Sequence, residues 1–195
     1  MKKLAILLAT LISLGASFTA FADETTRPSI SISDPSLRFV NTSSDIRFTI
    51  SLASAHDEGI VFNPSLIKAE GFNFEHIDAI RINENTYDVI FRGISSTDKS
   101  KIGRIICLKG TGTLNNGLLT YESPKSSSFF IFDEMTSRKE IAEYLMRFLP
   151  ENEREYIYLS ASGLMIGDGQ GNLELEQHIT TEQAYILNRR LELIK

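Results

Sequence analysis

The chain is poor in the residue types that announce chemistry. It has one cysteine, Cys107, and three histidines, His56, His76 and His178, in 195 residues. One cysteine closes no internal disulfide, so packing has to hold the fold together. Cys107 lies in the apolar run Arg104-Ile105-Ile106-Cys107-Leu108, which reads as a small buried side chain rather than a nucleophile. No G-x-S-x-G elbow occurs, so the Ser162-Gly163 pair carries no serine hydrolase signal. The glycines Gly169 and Gly171 do not form the strand-to-helix fingerprint of a nucleotide site. Zinc-type ligand spacings are absent as well. No catalytic residue, bound cofactor or metal is expected.

Positive charge is also scarce. The chain carries 20 basic and 25 acidic side chains. An acidic surface repels phosphate backbones, which argues against a nucleic-acid partner. Beyond the N-terminus no apolar run approaches the length of a membrane span, and no basic amphipathic helix is evident.

What is present begins at the first residue. Met1-Lys2-Lys3 is a basic start, and Leu4 to Leu14 is an apolar run broken only by Thr10 and Ser13. Gly15 then opens a small and polar stretch ending in Ala20-Phe21-Ala22. That order reads as a secretory signal peptide over residues 1–22, cut before Asp23. Asp23 at the cut, where a lipoprotein needs cysteine, excludes lipid attachment there. Removing Lys2 and Lys3 leaves 18 basic against 25 acidic side chains, a formal charge of −7. The expected location is the periplasm or the medium.

From about Arg27 to Phe132 the chain reads as successive strands. Ile46, Phe48, Ile50 and Leu52 alternate with Asp45, Arg47, Thr49 and Ser51, giving one buried and one wet face. Ile30 and Ile32 alternate likewise, as do Tyr87, Val89 and Phe91. Ile102 to Leu108 and Phe129 to Phe132 read as fully buried. Turn residues punctuate the runs at Asp34-Pro35, Asn63-Pro64, Asn83-Glu84-Asn85, Gly110-Thr111-Gly112 and Asn115-Asn116-Gly117. The pattern predicts an antiparallel β-sandwich over residues 23–133.

Residues 134–195 change character and predict a small α+β extension. Ser137 with Glu140 makes a capping box, followed by Ile141, Tyr144, Leu145, Phe148 and Leu149 at helical spacing up to Pro150. Tyr156 to Ser160, Leu164 to Ile166 and Leu173 to Leu175 read as short strands, the last two joined by a hairpin turn at Asp168-Gly169-Gln170-Gly171. A final helix starts at Thr180 or Thr181, with Ala184, Leu187, Leu191 and Ile194 as its apolar stripe.

The motifs Pro28-Ser29-Ile30-Ser31-Ile32, Ile46-Arg47-Phe48-Thr49-Ile50-Ser51-Leu52, Phe62-Asn63-Pro64-Ser65-Leu66-Ile67 and Glu84-Asn85-Thr86-Tyr87-Asp88-Val89-Ile90-Phe91 follow one another in order. Over residues 28–113 the chain resembles the bacterial immunoglobulin-like domains of intimin- and invasin-type surface proteins and large adhesins. The resemblance implies an immunoglobulin-like sandwich and a binding habit; it transfers no functional residue.

Two clusters invite a metal. Glu75-His76-Ile77-Asp78 would place His76 and Asp78 on one side of a strand, about 7 Å apart, with His56 or Asp57 as a third zinc ligand. Asp168, Gln170, Asn172 and Glu174 alternate through a turn, but Leu173 and Ile179 stand where an EF-hand needs glycine and glutamate. The acidic pairs Asp57-Glu58 and Asp133-Glu134 read as wet loops. The expected function is that of a non-enzymatic exported protein. It would act in adhesion, secretion or virulence through contacts with a surface adhesin, a secretion component or a host receptor. A metal-dependent hydrolase using His76 and Asp78, and a periplasmic inhibitor or envelope-stress protein, are the alternatives. N-terminal sequencing of the exported protein should begin at Asp23; a chain retaining Met1 outside the cytoplasm would remove the signal-peptide reading.

Overall fold

The computed structural model describes residues 29–53, 61–114, 117–118 and 124–193. The signal-peptide stretch and its cut, and His56, Asp57 and Glu58, lie outside these residues, as do Asn115, Asn116 and Ile194. The described strands are β1 (Ser29–Ile32), β2 (Phe39–Asn41), β3 (Ile46–Ala53), β4 (Val61–Phe62), β5 (Ile67–Glu70), β6 (Phe72–Asn73), β7 (His76–Asn83), β8 (Thr86–Arg92), β9 (Ser95–Ser96), β10 (Ile102–Cys107), β11 (Gly112–Leu114), β12 (Gly117–Leu118) and β13 (Phe129–Phe132). Three helices follow: α1 (Arg138–Leu145), α2 (Tyr156–Ala161) and α3 (Thr181–Glu192). The chain is mainly β, with its helices at the C-terminal end.

Two four-stranded sheets organise the fold. The first has the order β1-β3-β8-β7, antiparallel throughout. The second has the order β2-β13-β10-β5, antiparallel except for the parallel pair β2 and β13. Smaller ladders join β12, β11 and β4, and β6 with β9. The period-two reading of β3 holds residue by residue. Ile46, Phe48, Ile50 and Leu52 are buried, while Arg47, Thr49 and Ser51 face outward. Opposite them stand Phe91, Val89 and Tyr87 of β8. The second sheet meets this face with Val40, Ile67, Ile105, Cys107, Phe129 and Ile131, and one apolar cluster fills the space between. Phe48 touches Phe91 edge-on at 5.9 Å and Phe129 at 6.1 Å, so aromatic rings span the two sheets.

The β2–β13 half of the second sheet is also covered on its far side, whereas β10, expected to be fully buried, turns Arg104 outward to Glu70 of β5. Phe39, Phe130 and Phe132 point away from the first sheet into a second cluster with Ile141, Tyr144 and Leu145 of α1, Leu159 of α2 and Leu187 and Leu191 of α3. This explains why all four residues of β13 are buried. A strand in a middle layer has no wet face and reads as a continuous apolar run.

The C-terminal part departs from the expected α+β extension. Tyr156–Ala161 is a helix, and residues 164–166 and 173–175 form no strands. The aromatic and β-branched run Tyr156-Ile157-Tyr158 favours strand locally. Packing decides otherwise, because a helix buries Leu159 and lets its carbonyl accept from the Met165 amide at 3.0 Å. Gly163, with φ of 71°, then supplies the left-handed residue that ends the turn. The two other helices start where expected. Ser137 and Glu140 form a reciprocal capping box on α1, and Thr180 and Gln183 form one on α3. α1 gives way at Met146 to a tighter turn, one turn before Pro150.

One side chain joins the helical layer to the sheet edge. Asn188 of α3 is 5% exposed. Its Oδ1 accepts from the backbone amides of Arg38 at 2.7 Å and Phe39 at 2.9 Å, and its Nδ2 donates to the Phe39 carbonyl at 3.0 Å. The amide thus takes the place of a further strand beside β2. Asn188→Ala leaves two amides and one carbonyl without partners, and denaturant unfolding should show a loss of about 2–4 kcal/mol.

Candidate functional site

The exposed edges of the sheets are unequal. Asn188 and α3 close the β2 edge. β1 and β5 are four residues each, whereas β7 runs for eight, from His76 to Asn83, and among the described residues pairs on one side only, with β8. The alternation sends Ile77 toward the core, and Ala79 stands opposite the buried Val89. His76, Asp78, Ile80 and Ile82 lie on the outer face. Ile80 is 44% and Ile82 56% exposed, an unusual pair of large apolar residues on a wet sheet face. Around them that face is ionic. Arg92 pairs with Asp45 at 3.0 Å and with Asp78 at 3.9 Å. Asp88 accepts from the Thr49 hydroxyl at 2.8 Å and faces Arg47 at 3.6 Å. Near its end the strand bulges between Arg81 and Asn83, and Arg81 donates to the carbonyls of Asn83 and Glu84.

His76 and Asp78 therefore share a strand face as expected, and the carboxylate of Asp78 faces a guanidinium. Among the described residues no three His, Cys, Asp or Glu side chains are close enough to hold a metal. His56 and Asp57, considered as a third ligand, are outside those residues. His178 is drawn into the fold by its backbone bridge to Ser137 and by its Nδ1 contact with the Met135 carbonyl at 2.9 Å.

The Asp168 segment is a turn held by its own side chains, though not a strand hairpin. The Asp168 carboxylate accepts from the amides of Gln170 at 2.8 Å and Asn172 at 3.3 Å, and the Asn172 side chain accepts from Glu174. The Ser162 hydroxyl donates to the Leu159 carbonyl at a helix end. Asp133 sits in the turn leading into α1. Partial burial pushes its carboxyl up. Hydrogen bonds from Thr136 and Met135 and the Lys101 ammonium more than offset this and hold it below the usual carboxylate range. Glu140 behaves alike: burial raises it, and bonds from Ser137 and Lys101 outweigh that effect. Lys101 reaches both acids and the Thr136 hydroxyl, tying the sheet to α1.

Sequence reasoning missed three features. Arg138 is 5% exposed and clamps the segment beneath α2, with Nε donating to the Leu173 carbonyl and Nη2 to that of Ile166, each at 2.9 Å. A lone arginine in a helix's first turn carries no signal of burial. Asn188 was equally silent among the polar residues of α3. The exposed pair on β7 did leave a trace: apolar residues fall at 77 and 79, then shift phase to 80 and 82. That shift marks two isoleucines turned to the wet side.

Cavities are modest. One of about 300 Å³ opens between the β5 and β7 edges, against Ile67, Phe72, Phe74 and Ile77. A shallow groove of about 640 Å³ runs along Tyr156, Ile157 and Ser160 of α2. A third, of about 250 Å³, lies between the β1–β2 link and α3. No family model matches the chain, and no match is found among curated proteins or solved structures.

Cys107 is fully buried, and burial pushes its thiol up to about 12. The thiolate that reacts is therefore scarce at neutral pH. A thiol reagent should leave Cys107 unlabelled in the native protein for hours and label it within minutes in denaturant. Fast native labelling would show that β10 opens.

Proposed function

We propose that this chain is an exported, non-enzymatic binding protein on an immunoglobulin-like sandwich, and that it engages another protein by strand addition at β7. The strand order supports the sandwich reading. In immunoglobulin-like domains the first, second, fifth and fourth strands form one sheet, and the third, sixth and seventh the other. β1, β3, β8 and β7 correspond to the first set, and β5, β10 and β13 to the second, with β2 added in parallel beside β13. Cys107 on β10 has no cysteine to pair with, so the apolar core replaces the inter-sheet disulfide of antibody domains.

The observation that carries the binding reading is the open eight-residue edge of β7 with Ile80 and Ile82 exposed beside it. An edge presents alternating unpaired amides and carbonyls to a partner strand, and neighbouring side chains give selectivity. Monomeric proteins ordinarily shorten, charge or cover such edges. Among the described residues the β2 edge is covered and the longest edge is left open. The proposed setting is the periplasm or the cell exterior, with a surface adhesin, a secretion component or a host receptor as the partner. An acidic surface does not suit nucleic acid, and among the described residues no helix is long and apolar enough to cross a membrane.

The test is capture of a partner from envelope and culture-medium fractions by the wild-type chain and by an Ile80→Lys/Ile82→Lys variant. Both positions are solvent-exposed, so unfolding free energy should stay within about 1 kcal/mol. Capture should fall at least tenfold, while Ile157→Lys on the helical side leaves it unchanged. Equal capture by the β7 variant and the wild type would remove the edge from the mechanism.

A further inference from the structure

We propose that a cavity between the first turn of α1, the segment after α2 and α3 binds a small monocarboxylate with a short aliphatic chain. The site goes beyond the strand-addition reading and uses no residue of β7. Arg138 reaches it from α1, Gln183, Ile186 and Arg190 from α3, and Ile166 from the segment after α2. Its volume of about 130 Å³ is well below the range of drug-sized sites, which limits the ligand to a few heavy atoms.

The two guanidiniums set this cavity apart. Acidic side chains outnumber basic ones in the chain, 25 to 20. Arg38, Arg47, Arg92, Arg104 and Arg189 each have a carboxylate partner. Arg81, Arg147 and Arg154 have none but stand exposed in water. Arg138 is 5% exposed and Arg190 half-buried, and among the described residues neither has a carboxylate within ion-pair reach. Their hydrogen bonds do not cancel that charge. Arg138 donates to the Leu173 and Ile166 carbonyls, and Arg190 to the Leu164 carbonyl at 3.4 Å. Carbonyls satisfy protons but bring no net negative charge, and a cation held out of water is costly until an anion joins it. Charge, not an unmade bond, is what the cavity leaves open.

The walls select the rest of the ligand. Gln183 has its Oε1 engaged by the Thr180 amide at 3.2 Å, so the polar group it has left to offer is a donor. Among the described residues no Asp or Glu lines the cavity. A ligand ammonium would meet two cations, and a neutral ligand would leave both uncompensated. A carboxylate matches the guanidinium fork in shape and charge. Ile166, 56% exposed, and Ile186, 46% exposed, form an apolar rim. Inorganic phosphate would answer the cations and leave these two isoleucines in water, whereas an aliphatic chain is buried against them.

Four probes separate these features: isovalerate, isopentylammonium, isopentanol and inorganic phosphate, each titrated into the full exported chain at constant ionic strength and followed by protein NMR. Isovalerate should shift the Arg190 side-chain N–H and the Ile186 methyls with a dissociation constant of about 1–10 mM, the weak range a fragment of this size reaches. The other three should bind at least fivefold more weakly. Arg190→Gln should weaken isovalerate at least fivefold; the side chain makes one long bond to the protein, so the amide spectrum of the strands should be unchanged. Ile186→Ser should weaken isovalerate at least threefold and leave phosphate as it was. Absence of shifts at Arg190 and Ile186 with isovalerate would overturn the site and leave the two arginines as clamps on the segment after α2. Isopentanol binding as tightly as isovalerate would overturn the need for charge, and phosphate doing so would overturn the aliphatic part. N-acetyl-leucine, a stand-in for the last residue of a peptide, tests the source: binding tenfold tighter than isovalerate would overturn a free acid in favour of a peptide C-terminus.

Discussion

Burial of β2 and β13 on both faces is the constraint from which the rest of the arrangement follows. Phe129 and Ile131 look into the core shared with the first sheet, while Phe130 and Phe132 look into the helical layer. Strands apolar on both faces have no stable free-standing form in water. The first sheet covers one face through Phe48, Phe91 and the alternating residues of β3. The helices must cover the other, which ties the C-terminal third of the chain to the strands. Asn188 then closes the edge that such a middle layer leaves at β2. The same coverage seals Cys107, so the lone thiol is a packing residue.

Much of this is written in period and punctuation. The alternation in β3, the paired alternation in β8 and the apolar run of β13 are all visible in the sequence, and each became the element it implies. Both capping boxes are equally legible, because they need only residues three apart. The stretch from Tyr156 to Leu175 reads as strand in sequence but does not form one, because its local preference and its tertiary role conflict. Aromatic and β-branched residues favour a strand, but the space beneath α1 accepts a helix that presents Leu159. The one local clue to a helix there is Ser162-Gly163, where glycine can take the left-handed turn that stops a helix. Loop glycines are common enough that this clue is readable only beside the packing.

The site residues were less legible than the fold, for a different reason. Asn188 and Arg138 work by hydrogen-bonding backbone carbonyls and amides far away in sequence. Asn188 reaches Phe39 across 149 positions, and Arg138 reaches Leu173 across 35. Long-range side chain–backbone bonds leave no spacing motif, since any polar residue at the right point of a helix could make them. The Glu75–Asp78 cluster shows the converse. Its spacing suggested chemistry, and its geometry gives an ion pair between Asp78 and Arg92 on a wet sheet face.

The character of β7 limits what it can bind. The bulge between Arg81 and Asn83 breaks the regular ladder, and Arg81 folds its guanidinium onto the turn carbonyls. A partner strand can pair evenly only from His76 to Arg81, roughly 20 Å of extended chain. That is a short contact, at the weak end of protein interfaces. Ile80, within this stretch, and Ile82, at its border, supply apolar area; Asp78 and Arg92 confine that area to one half of the strand. An edge so restricted resists pairing indiscriminately with other sheets, yet keeps one segment open to a strand of the right length. On the proposed strand addition, the bulge and the ion pair would act as the filter, and the two isoleucines as the contact.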